Sequence, residues 1–192
     1  MKLVAFSGST RSGSFNQQLI KAAAKIAQEE LGLDVTVISL SDYPLPLYDG
    51  DWEDANGLPE QALVLKQLIH SHDAVLIASP EYNASVTAVL KNTIDWMSRP
   101  GDERDPGKVL FEKPVALLSA SPGGLGGIRG LNHLRAILQN LTAFVTPSQF
   151  ALAHSNKAFT DEGTFKSEDA KKAVIGVLNC LQRTTQMVQS AH

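Results

Sequence analysis

The chain has 192 residues, 43% of them hydrophobic, with 17 Lys and Arg against 20 Asp and Glu and a formal net charge of −3. That length suits one domain over residues 1–192 with a sizeable core, and the charge leaves no basic face for nucleic acid. No stretch approaches the ~18 apolar residues of a membrane span, and the single cysteine, Cys180, excludes an intrachain disulfide and a Cys-x-x-Cys redox pair. Cys180 sits among Val177, Leu178 and Leu181 and reads as a buried structural thiol. The N-terminus enters a strand at once, without a signal peptide, so the expected compartment is the cytoplasm.

Leu3-Val4-Ala5-Phe6 is a short apolar run that predicts a buried strand. Leu19, Ile20, Ala23, Ile26, Ala27 and Leu31 then share one face of a helix, which the capping-box spacing of Ser14 and Gln17 starts near Phe15. Between them lies Gly8-Ser9-Thr10-Arg11-Ser12-Gly13-Ser14-Phe15-Asn16. A strand, a Gly/Ser loop and a helix N-terminus aim unpaired backbone N–H groups at one spot. The hydroxyls and Arg11 add donors that suit a phosphate. The plainer alternative is a well-capped strand-to-helix turn. A Walker loop is excluded because Ser14 and Phe15 follow Gly13 where Lys is required. A dinucleotide fingerprint is excluded because Thr10 stands at its second glycine. A monophosphate at the tip of a larger ligand fits better.

Val35–Ile38 predicts the second strand. Tyr43 to Gly57 reads as an excursion, either a lid or partner surface or a surface loop with its aromatics tucked down. Pro59 opens a helix with Leu65, Leu68 and Ile69 inward. Ala74–Ala78 has the continuous apolar character of a central parallel strand. It leads through Ser79-Pro80-Glu81-Tyr82-Asn83-Ala84-Ser85 into a third helix, with Ser85 as a possible N-cap. Gly101 to Gly107 reads as an exposed loop. Val115–Leu118 is the fourth strand, followed by Gly123, Gly124, Gly126 and Gly127 and a helix marked by Leu131, Leu134, Leu138 and Leu141. Ala143–Thr146, continuing as Phe150–Leu152, is the fifth strand, bent by Pro147. Ser167, Glu168 and Asp169 start the last helix.

Five strands alternating with five helices describe a doubly wound α/β sheet in three α/β/α layers, and for strand order 2-1-3-4-5 the switch lies between strands one and three. The unusual loops follow strands one, three and four and border the switch in strand order, where such sheets bind ligands. The third loop offers a wall for a planar ring. The glycines of the fourth let backbone approach a flat ligand. His70, His72, His133, His154 and His192 lack metal spacing, and no Gly-x-Ser-x-Gly elbow occurs. The chemistry therefore falls to a cofactor rather than to a side chain.

Gly8-Ser9-x-Arg11-x-x-Ser14-x-Asn16, Pro80-Glu81-Tyr82-Asn83-x-Ser85, Leu90-Lys91-Asn92-x-Ile94-Asp95-Trp96 and Gly123-Gly124-x-Gly126-Gly127-x-Arg129-Gly130 together resemble the NADPH-dependent FMN reductases. This flavodoxin-like group includes quinone, chromate and azo-dye reductases. The resemblance implies FMN with its phosphate at Ser9, Arg11, Ser14 and Asn16, Phe15 belonging to the same cofactor loop. It places the isoalloxazine against Pro80, Glu81, Tyr82 and Asn83, with Ser121, Gly123 and Gly124 nearby. NADPH or NADH would reduce the flavin, and a quinone, free flavin, azo compound or metal oxyanion would reoxidise it. The alternatives are a flavodoxin-type electron carrier and a flavin-binding regulatory protein. The resemblance further implies a homodimer or homotetramer, with Arg129 in subunit contacts and Glu81 as its partner across the interface. Thr87-Ala88 depart from the Pro-Gly usual in the family, beside the ring.

Overall fold

The computed structural model describes residues 1–101 and 108–191. Its strands are β1 (Lys2–Ser7), β2 (Asp34–Ser39), β3 (Ala74–Ala78), β4 (Pro114–Ala120) and β5 (Phe144–Leu152). They form one all-parallel sheet of order β2-β1-β3-β4-β5. The helices are α1 (Phe15–Glu29), α2 (Gly50–Asn56), α3 (Glu60–His70), α4 (Ala88–Met97), α5 (Ile128–Asn140) and α6 (Glu168–Ala191). The expected flavodoxin-like architecture is present. Past Gly101, the turn-rich segment to Gly107 lies outside the described residues, as does His192.

Strand alternation divides the core in two. Leu3, Ala5, Leu76 and Leu118 face Leu19, Ala23, Leu178 and Leu181 on the α1/α6 side. Val4, Phe6, Ile77 and Leu117 face Leu65, Ile94 and Leu134 on the α3/α4/α5 side. Every residue of β3 and β4 is buried, which is why both strands read as unbroken apolar runs. Pro147 has the predicted effect. Val115 pairs with Val145 and Leu117 with Gln149, so β5 bulges around a residue that has no N–H to donate.

The excursion after β2 differs from the sequence pattern by one helix. Asp49 caps α2, its carboxylate accepting from the amides of Asp51 and Trp52 at 2.9 and 3.1 Å. Seven residues with none buried carry no apolar stripe, so periodicity did not reveal it. Tyr48 is half-buried, whereas Trp52 remains 37% exposed. The amide of Tyr48 donates to Asn92 Oδ1 at 2.8 Å, while Asn92 Nδ2 and Trp96 Nε1 both donate to the carbonyl of Pro46 at 2.8 Å. The rings of Tyr48 and Trp52 meet Trp96 edge-on at centroid distances of 5.0 and 5.5 Å. Arg99 Nε donates to both oxygens of Glu53, at 2.8 and 2.9 Å. These bonds from Arg99 are the main reason the Glu53 carboxyl sits below its ordinary pKa.

Asn92→Ala removes two of the hydrogen bonds that hold this excursion. At roughly 0.5–1.5 kcal/mol net per bond, it should lower stability by about 1–3 kcal/mol. Urea unfolding should show that loss, and limited proteolysis should cut faster between residues 43 and 57.

Candidate functional site

β1, β3 and β4 are neighbours, so the loops leaving their C-terminal ends stand side by side. The phosphate-type loop leaves β1 with Gly8, whose amide donates to the carbonyl of Ala78 at 2.9 Å. Ser14 caps α1, but its hydroxyl accepts from the amide of Asn16 at 3.3 Å rather than from that of Gln17. Gln17 does not close a capping box. Its Nε2 donates to the carbonyl of Ser9 at 3.0 Å and shapes the loop from within. Ser9 Oγ accepts from the amide of Arg11 at 3.3 Å. The amides of Thr10, Ser12 and Gly13 donate to no acceptor among the described residues. The O–H groups of Ser9 and Ser14 keep their protons for an outside acceptor, and Arg11 is exposed beside them. This is a donor set without an acceptor, at the positive end of a 15-residue helix.

Two members of the expected set are also engaged within the fold. Asn16 is 3% exposed, and its side chain donates to the carbonyl of Ala120 at 2.8 Å while accepting the amide of Ala120 at 2.9 Å. Phe15 is half-buried against the α1/α6 core.

After β3, Ser79 and Pro80 are buried. Tyr82 and Ser85 exchange backbone hydrogen bonds of 2.9 and 3.0 Å around Asn83 and Ala84, whose φ angles are 50° and 62°. Left-handed φ at both central residues makes a type I′ turn, strained without glycine. Ser85 is therefore part of this turn and not the helix cap. Thr87 caps α4, accepting from the amide of Leu90 at 3.3 Å and donating to the carbonyl of Gly8 at 2.6 Å. The departure from Pro-Gly thus ties the β3 loop to the β1 loop. Sequence reasoning missed this role, although a threonine three residues before a buried leucine was a visible signal.

After β4, Ser121 Oγ accepts from the amide of Gly123 at 3.2 Å. The glycines of this loop divide by function. A Cβ on Gly126 would lie 2.7 Å from the backbone of Ala151, and one on Gly127 would lie 3.0 Å from Ser119, both at positive φ. Internal packing demands these two. Gly123 and Gly124 are exposed, with nothing of the chain closer than 3.6 Å to a Cβ, so they leave bare backbone open to a ligand.

Gly127 begins α5 with no side chain to cap it, and Glu81 does so instead. Glu81 Oε2 accepts from the amides of Arg129 and Gly130 at 3.0 and 3.2 Å. Oε1 accepts from Arg129 Nε at 2.7 Å and pairs with Nη2. Burial pushes the Glu81 carboxyl up, but the guanidinium and the two amides outweigh it and hold the group below its ordinary value. The expected Arg129–Glu81 pair therefore exists, but within one chain rather than across an interface. His133 Nδ1 lies 3.0 Å from Ser85 Oγ at the same rim. No group of three or more His, Cys, Asp or Glu fit to hold a metal occurs among the described residues.

The arrangement fits FMN: unpaired donors and a cation for one phosphate, then a buried proline, an exposed tyrosine and bare glycine backbone for a flat ring. Glu81→Gln should cost roughly 1.5–3 kcal/mol of stability at pH 7, since a charge-assisted cap is lost. The wild-type advantage should be full above the ordinary glutamate value of 4.5 and should fade as pH falls through the lower native value. Urea unfolding of both proteins from pH 3 to 8 measures this.

The family model described as NADPH-dependent FMN reductase matches residues 1–157. An NADPH:quinone oxidoreductase of Arabidopsis thaliana is 37% identical over 193 aligned positions, covering 98% of this chain and 94% of the relative. A quinone reductase of Escherichia coli K12 is 39% identical over 145, covering 76% and 73%. Among solved structures, the flavoenzyme NAD(P)H:(acceptor) oxidoreductase FerB of Paracoccus denitrificans superposes with a TM-score of 0.79 at 26% identity, covering 98% and 97%. The phosphate loop, the ring-side loops and the sheet that aligns them all fall within the matched residues, and the chain belongs to the NADPH-dependent FMN reductase family.

Proposed function

We propose that this protein is an FMN-dependent oxidoreductase that takes hydride from NAD(P)H and reduces quinones, with free flavins, azo compounds and metal oxyanions as further acceptors. The observation that carries this reading is the clamping of three loops around one crevice. Thr87 joins the β3 loop to the β1 loop, Asn16 joins α1 to the end of β4, and Glu81 joins the β3 loop to α5. When bound, FMN supplies the two-electron redox chemistry between NAD(P)H and the acceptor.

The residues would bind and orient. Ser9, Ser14, the free loop amides and Arg11 would hold the phosphate. Pro80, Tyr82 and the backbone near Asn83 would form one wall for the ring, and Ser121, Gly123 and Gly124 the other. Glu81 is no proton donor at neutral pH, because its carboxyl is held ionised and its oxygens are engaged by Arg129 and Gly130. No other acid is assigned.

A homodimer or homotetramer is part of this reading. It is supported by Tyr82 and Leu125, which are 54% and 57% exposed at the site rim. No helix among the described residues is long and apolar enough to cross a membrane, and we place the protein in the cytoplasm.

The purified protein should be yellow or bind FMN stoichiometrically, and should oxidise NAD(P)H with a quinone at steady state. A colourless protein that leaves FMN fluorescence unquenched would refute the reading. Arg11→Ala should weaken FMN by about tenfold to a hundredfold, the worth of a charge-assisted phosphate contact, and riboflavin hardly at all. Parallel fluorescence titrations test this, and equal losses would assign Arg11 to the fold.

A further inference from the structure

A second crevice, of about 220 Å³, lies on the other side of the phosphate loop, between α1 and β2. Ser7 is at its floor. The Ser7 side chain is in phase with Leu3 and Ala5 and so points to the α1 face of the sheet. It is 4% exposed, and its hydroxyl has no hydrogen-bond partner. Buried hydroxyls are almost always bonded, so one left open on a cavity marks a place where an outside partner is expected. The walls are apolar. Ile20 comes from α1, and Val37 from β2 is 42% exposed, an uncovered β-branched side chain on the sheet surface. The rim carries Lys21 and Asp42, neither of which makes an ion pair or side-chain hydrogen bond among the described residues.

Position identifies the occupant. Sheet order places this crevice, the phosphate loop and the two ring-side loops in the succession β2, β1, β3, β4. A ligand with its ring beyond β3 and β4 and its phosphate on the β1 loop directs anything attached to that phosphate toward β2. Two apolar walls suit a flat base, a free carboxylate at the rim suits a ribose diol, and a free ammonium suits a phosphate.

We propose that the crevice between α1 and β2 is a subsite for an adenosine 5′-phosphate group. The base lies between Ile20 and Val37, Asp42 accepts from the ribose hydroxyls, and Lys21 faces the phosphate. Two molecules carry this group with both ribose hydroxyls free: FAD, whose adenylate extends a flavin already seated on the β1 loop, and NADH. The FAD source rests on the flavin reading above, whereas binding of the adenylate group alone does not.

The test titrates the cofactor-free protein with AMP, FMN and FAD by calorimetry, in wild type, Lys21→Glu and Val37→Trp. Wild type should bind AMP, and Lys21→Glu should weaken AMP by about tenfold or more, the worth of a charge-assisted contact. FMN affinity should stay within about twofold, since Lys21 is exposed and lies off the phosphate loop. Val37→Trp should block AMP by filling the crevice. If FAD is the source, FAD affinity falls with AMP affinity while the KM for NADH of the FMN-loaded protein is unchanged. If NADH is the source, that KM rises and FAD behaves as FMN does. No AMP binding up to about 1 mM, where the affinity would be worth little more than 4 kcal/mol, overturns the proposal. AMP binding indifferent to both substitutions does so too. A protein that binds AMP in this pattern but not FMN keeps the subsite and loses the flavin reading, and the reverse result does the opposite.

Discussion

The site depends on a pair of hydrogen bonds between residues 104 positions apart. Asn16 donates to the carbonyl of Ala120 and accepts the amide of the same residue. One end of this contact is the first turn of α1, which presents the phosphate-type loop. The other is the last residue of β4, where the glycine loop begins. A buried amide side chain has both a donor and an acceptor, so it matches a peptide unit in both directions. Substituting Ala would strand two backbone groups away from water as well as removing the link. The separation between the phosphate loop and the ring-side loop is thereby set by this hydrogen-bonded pair rather than by loop preference.

Of the helix N-termini that approach the crevice, those of α1 and α5 are treated oppositely. The start of α1 is left open, with Arg11 adding to its positive end and several loop amides unpaired. The start of α5 is neutralised by Glu81, whose carboxylate takes two amides and the Arg129 guanidinium. Between these two helix starts, an anion is therefore favoured at α1 and not at α5. The neighbouring wall is left polar but satisfied, as suits a neutral ring.

Holding Glu81 in that position has a local cost. The next residues turn back through Asn83 and Ala84 in the left-handed region, and for a non-glycine residue such φ costs on the order of 1–2 kcal/mol. The turn persists because its neighbours over-determine it. Glu81 is fastened to α5, Tyr82 and Ser85 pair with each other, and Thr87 starts α4 against Gly8. Tyr82 is thus presented outward at a fixed position, which is how strain is commonly used at a binding site.

Local pattern in the sequence was enough for the strands, the five long helices, the Ser14 cap, the bend at Pro147 and the three loops that matter. Each depends on periodicity or on turn chemistry within about ten residues, information that a linear chain carries openly. The family motifs added the flavin. Only the tertiary structure decided which side chains those loops spend on one another. That the Asn16 side chain is matched to a peptide unit emerges only when β4 arrives. Ser85 and Thr87 are equally good caps until the carbonyl of Gly8 selects Thr87. Four glycines look alike until Ala151 and Ser119 crowd two of them. Glu81 and Arg129 are 48 residues apart, and only their shared place at the start of α5 makes them partners within one chain. A partner contributed from across the sheet is set by strand order and register, and these place it in space without leaving any mark on its sequence neighbours.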